Sequence, residues 1–212
     1  MLADPNSEVD AAVQDRLQEL ADVLGRKRVK VSDRARPDID TREAHRVYIQ
    51  LLRAATSGRQ PATEFEKNLA TARTLTPDDD SYFARMVRAN IMSHRDWLAA
   101  NETRHRLRLK WAEFFNDWDV LLCPPAASAA FPHDHEGERH ERTIEVNGKH
   151  VPTTDQLFWA GLTGMVYLPA TVAPSVSCRV ASRSAFRLRD PSTATAPASR
   201  SRAGSSRNTR AS

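Results

Sequence analysis

The sequence predicts an α/β fold, and two adjacent stretches predict it. From Asp80 to Phe115 a stripe of mostly apolar residues runs at helical spacing, with no proline or glycine to interrupt it. It passes through Phe83, Val87, Asn90, His94, Leu98, His105, Trp111 and Phe115. A helix of that length must draw its stability from a large packing surface. Directly after it, Asp119-Val-Leu-Leu-Cys-Pro-Pro125 is an apolar run closed by prolines, the pattern of a buried strand entering a turn. A long helix feeding a fully apolar strand implies layered helices and sheet. One short strand makes no sheet, so its neighbours are expected from elsewhere.

The remaining elements follow in order. Val9, Val13, Leu17, Leu20 and Leu24 give an amphipathic helix over 7–24, with Ser7 as N-cap and Gly25 as stop. Val29 and Val31 alternate with Arg28 and Lys30, which predicts a short strand with one wet face. Asp40-Thr-Arg-Glu43 has capping-box spacing and opens a helix whose buried side carries Ala44, Val47, Tyr48, Leu51 and Leu52. Residues 59–79 read as irregular, with a short helix near 65–72. Ile144-Glu-Val-Asn-Gly148 predicts a hairpin on an Asn-Gly turn. Asp155 is expected to cap the apolar stretch that follows, and Leu168-Pro-Ala-Thr-Val-Ala-Pro174 to form a second apolar strand.

Charge divides the chain. Residues 175–212 hold eight arginines, ten serines and one acid, Asp190, for a net +7. The total is +4, so residues 1–174 carry −3 and the basic pI of 9.4 belongs to the tail alone. Global charge therefore gives little support to nucleic-acid binding, and a single aromatic, Phe186, offers little for base stacking. The tail's composition is that of a disordered, low-complexity segment. Its abrupt start at Ser175 also suits a shifted reading frame, with Met1 as an internal start. Two cysteines are too few for a disulfide scaffold. No secretory signal or membrane span is visible, so the expected location is cytoplasmic.

Individual reactive groups argue for little chemistry. His133-Asp-His135, near His140 and His150, could begin a zinc site, but reads better as a solvated loop. Cys123, inside an apolar run, reads as an inert buried thiol. His94 and His105 read as packing residues in the helical stripe. Phe158 and Trp159 read as core.

The ordered motifs, however, have a recognisable succession. Trp111-Ala-Glu-Phe-Phe115, Asp119-Val-Leu-Leu-Cys-Pro124, Ala130-Phe-Pro-His-Asp-His135 and Val146-Asn-Gly148 come first. Asp155-Gln-Leu-Phe-Trp-Ala-Gly161 and Leu168-Pro-Ala-Thr-Val-Ala-Pro174 close it. The order from Trp97 to Pro174 closely resembles the C-terminal third of bacterial amidase-signature hydrolases, with residues 7–96 similar in style. The resemblance implies a mixed sheet flanked by helices, of which residues 1–174 would be the C-terminal portion. It also implies hydrolysis of carboxylic amides by a Ser–Ser–Lys arrangement with backbone oxyanion donors.

None of that chemistry maps onto these residues. No Gly-Gly-Ser-Ser run sits in a strand–turn–helix context, and Gly204-Ser-Ser206 lies in the polar tail. The five lysines, Lys27, Lys30, Lys67, Lys110 and Lys149, fall on polar faces or loops. No residue is therefore assigned a catalytic, cofactor-binding or metal-binding role, and no cofactor is expected. The chain alone is expected to be inactive and, with apolar faces uncovered, prone to self-association. Its alternative is a non-catalytic remnant or interaction module. The small-molecule amide substrate is expected only of a complete enzyme.

Overall fold

The computed structural model describes residues 3–174 and 183–188. Asp10 caps the first helix, α1 (Ala11–Arg26), its carboxylate accepting from the Ala12 N–H at 2.9 Å. The expected cap, Ser7, lies upstream, where its N–H bonds the Asp4 carbonyl. Gly25 does not stop the helix. The stop is a Schellman turn, with Arg28 left-handed at φ 65°. The Arg28 N–H donates to the Gly25 carbonyl and the Val29 N–H to that of Leu24. This turn removes the expected strand: Val29 and Val31 leave it as loop, 50% and 40% exposed. A side chain at this left-handed position is strained, so Arg28→Gly is expected to stabilise the protein by about 0.5–1 kcal/mol, read as a higher urea midpoint.

Asp40 opens α2 (Thr41–Ser57) as expected, accepting from the N–H groups of Arg42 and Glu43. Ala44, Val47 and Leu51 are buried in the main core, and Ile49 is buried as well. Ile49 was missed because α2 packs on more than one side, against the helices that follow. The short helix expected near 65–72 forms as α3 (Ala62–Ala72), with no buried residue.

The long helix is two helices, α4 (Tyr82–Asn90) and α5 (His94–Phe114). The break needs no proline. Ser93 Oγ accepts from the Asp96 N–H at 3.1 Å and donates to the Asp96 carboxylate at 2.7 Å, a capping pair that starts a new helix. The break resets the helical phase. Ala100, Leu107, Trp111 and Phe114 face the core, whereas Leu98 is 50% exposed. His94 and His105 are also exposed and are not the packing residues the stripe suggested.

The apolar run after α5 forms β1 (Val120–Cys123), with Leu121 and Cys123 buried. The expected hairpin is present as β2 (Thr143–Val146) and β3 (Lys149–Pro152), turning on Asn147 and Gly148 at φ 51° and 75°. Asn147 also joins that turn to the start of α1. Its Oδ1 accepts from the Ala11 N–H at 2.8 Å, and its Nδ2 donates to the Val9 carbonyl at 3.1 Å.

A 3-10 turn, Thr153–Gln156, precedes α6 (Leu157–Gly164). Asp155 makes no capping bond there, contrary to expectation. Gln156 instead pins the turn after β1, donating to Ser128 Oγ and accepting from the Ala127 N–H, both at 2.8 Å.

The second apolar strand forms as β4 (Thr171–Pro174). Between β1 and β4 lies β5 (Arg183–Leu188), antiparallel to both, in register from Val120↔Leu188 and from Thr171↔Phe186. These six residues fall in the tail for which no order was expected. The sheet around β1 thus takes two strands from this same chain, and both ladders are antiparallel. The rest of the tail, with Cys178 and Gly204-Ser-Ser206, lies outside the described residues. The result is a helix-rich α/β unit whose core runs from α1 through α2 and α5 to β1, β2 and α6.

Candidate functional site

Four segments converge on one polar cleft of about 410 Å³. The N-terminal segment brings Asn6, and α2 brings Arg42 and His45 from its first turns. The start of α4 brings Asp80, Tyr82 and Arg85, and the entry to α6 brings Thr154, Asp155 and Phe158. The caps at Asp40 and Ser81 fix where α2 and α4 begin, and hence where these side chains stand.

The His45 ring sits 5.6 Å from that of Phe158, tilted by 43°. Burial, helped by the nearby Arg85 charge, pushes its pKa down to about 4. His45 is thus neutral near pH 7, and its Nδ1 is buried with no partner among the described residues. Asp155 stands at the mouth with much of its surface exposed, yet partial burial of its carboxyl raises its pKa above the ordinary carboxylate value. Arg85 is already committed to Asp80 through Nε–Oδ1 at 2.8 Å and Nη2–Oδ2 at 2.5 Å. That hydrogen bonding holds the Asp80 carboxyl below its usual range. The Tyr82 hydroxyl accepts from Arg53.

His45 makes a sign-definite prediction. The unfolded state takes up a proton near pH 6.5 and the folded state only near pH 4, so stability falls as pH drops through that interval. The loss should reach up to about 3 kcal/mol, and His45→Gln should flatten it. Chemical denaturation at pH 7, 5.5 and 4.5 measures both. Asp155, raised in the folded state, acts with the opposite sign: it favours the fold at acid pH and opposes it when ionised.

Chemically the cleft offers a neutral imidazole, a carboxyl carrying no hydrogen bond or ion pair among the described residues, and an aromatic wall. It can hold a small polar molecule and shuttle a proton. It does not pair a nucleophile with a base. Among the described residues the contact between Thr143 Oγ1 and His150 Nδ1 is 3.5 Å long and lies on the exposed hairpin.

The groups singled out from the sequence lie elsewhere. His133 and His135 are exposed, their rings stacked 5.8 Å apart. Among the described residues no three His, Cys, Asp or Glu side chains are grouped to hold a metal. Cys123 and Trp159 are buried in the core. Phe158 is core as well, but one side of its ring lines the cleft. All five lysines are exposed, and Lys110 is held above its usual pKa by its hydrogen bond to Asp38, the reverse of a neutral base. The cleft itself was missed. His45 lies in α2 and Asp155 more than a hundred residues later, and no local pattern links them. Among the described residues no helix is long and apolar enough to cross a membrane.

The layered, helix-rich α/β arrangement is the fold of amidase-signature enzymes. A bacterial aryl acylamidase of that class superposes with a TM-score of 0.60 at 15% identity, over 89% of this chain and 39% of its own. A second amidase gives 0.57 at 16% identity, over 85% and 38%. A chain from a vestigial protein complex, linked to the evolutionary origins of an s-triazine catabolic enzyme, gives 0.52 at 17%, over 88% and 37%. No curated protein sequence matches. The Amidase family matches residues 1–177, and the chain belongs to that family. It spans about two fifths of the length of the solved structures it resembles.

Proposed function

We propose that this chain forms the non-catalytic part of an amidase domain that hydrolyses carboxylic amide C–N bonds. The Ser–Ser–Lys machinery that the family resemblance implies would come from residues other than these 212. One observation carries the reading: the family match extends over residues 1–177 while no glycine–serine signature and no buried lysine occur in them. Amide hydrolysis needs an activated hydroxyl and a nearby base within hydrogen-bond reach, and the cleft around His45 offers no such pair. The cleft would then form part of the substrate-facing wall, its neutral imidazole and aromatic face suited to a polar, uncharged group.

The purified chain is expected to release no product from simple aliphatic amides or anilides above the protein-free control. Turnover abolished by a serine-directed sulfonyl fluoride would overturn this. A second reading, a remnant or interaction module without any enzymatic role, is favoured by the same missing nucleophile–base pair. Supplying the signature-bearing part of an amidase separates the two, because only the first reading expects turnover to appear.

A further inference from the structure

We propose that the apolar groove between the end of α1 and β1 is the seat for the part of an amidase domain that these 212 residues do not span. The inference rests on the amidase-domain reading, but its test needs no turnover. The groove, of about 330 Å³, is walled by Leu24, Val29, Val31, Phe114, Trp118 and Val120.

Three observations select both place and occupant. Among the described residues, three of the eleven exposed large hydrophobic side chains line this groove: Val29 at 50%, Val31 at 40% and Val120 at 36%. Valines in such a cluster gain nothing from water, and an apolar patch with a polar rim marks an interface. The rim is present as Asp33, Asp117, Asp119 and Lys30, whose ammonium lies 4.7 Å over the Trp118 ring. Two further clefts among the described residues carry many charged groups, Arg46, Asp78–Asp80, Arg85 and Arg88 in one and Arg42, Asp80, Arg85 and Asp155 in the other, and need no apolar cover.

The occupant follows from length. Nearly all of this chain, 89%, superposes on 39% of the aryl acylamidase, so the other three fifths of such a domain must rest against these elements. A loop bent away by the Arg28 turn, the end of α5 and an end strand of the sheet present the apolar surface where that mass can close a shared core.

The test co-expresses the chain with the portion of the aryl acylamidase on which it does not superpose. A one-to-one complex by native mass spectrometry is expected, with slowed amide exchange over residues 29–33 and 117–122. Val31→Asp and Val29→Asp should each weaken the complex at least tenfold. Leu109→Asp, at a site 57% exposed on the outer side of α5, should leave it intact. Circular dichroism confirms that each variant folds.

No complex, or one indifferent to both valine changes, overturns the proposal. So does a homo-oligomer of this chain that protects the same residues. A complex that forms as expected but turns over no amide leaves the seat standing and counts against the catalytic reading alone.

Discussion

Trp111→Ala is expected to cost about 3–5 kcal/mol, a large share of the stability of an ordinary domain. Trp111 is completely buried, and its ring stacks on Phe115 at 5.9 Å and meets Phe114 edge-on at 6.1 Å. Truncation removes the largest buried side chain of α5 and leaves a void that two neighbouring rings cannot both fill. Trp111→Phe should cost much less. The indole N–H is buried without a partner among the described residues, so replacing it removes an unsatisfied donor along with some packing. Urea denaturation of the two variants checks the ordering. Equal losses would show that the volume removed does not set the cost at this site.

Gly161→Ala is expected to cost about 1–3 kcal/mol, a large effect for one methyl group. Glycine lets α6 approach α2 so closely that an added Cβ would stand 2.3 Å from Tyr48 Cδ1 and 2.6 Å from Cγ. Either the two helices separate or the Tyr48 ring swings out, and Phe158 and Trp159 on α6 move with the first response. Tyr48→Ala in the same background should restore part of the loss, because it empties the space the methyl needs. A double-mutant cycle on Gly161 and Tyr48 reads this as a coupling energy. Additive losses would place the strain elsewhere.

Much of the fold was legible wherever a local rule acts alone. Asp40 opens α2, Asn147-Gly148 turns the hairpin, and the run Val120–Cys123 is a strand, each because the signal and the structure it specifies occupy the same few residues. The errors share a cause. A continuous helix over 80–115 was inferred from the absence of proline and glycine, while Ser93 and Asp96 carried a capping signal of the same kind already used at Asp40. Gly25 drew attention as a stop, yet the chain turned three residues later on Arg28, a residue type that seldom takes that conformation. The order of β5 within a polar tail depends on two strands that end 60 and 9 residues before it, and no local composition reports such partners.

The sequence by itself determined the family and the principal helices and strands. These are properties of linear order: motif succession, residue spacing and the presence or absence of a residue type. Tertiary structure alone decided what faces what. It brought His45 beside Phe158 and into one cleft with Asp155, and burial there moved the two groups' proton affinities in opposite senses. It turned Val29 and Val31 outward beside Trp118, and it pressed Gly161 against Tyr48. Desolvation and close packing depend on distance in space, which the chain sets only once α2, α6 and β1 share a core.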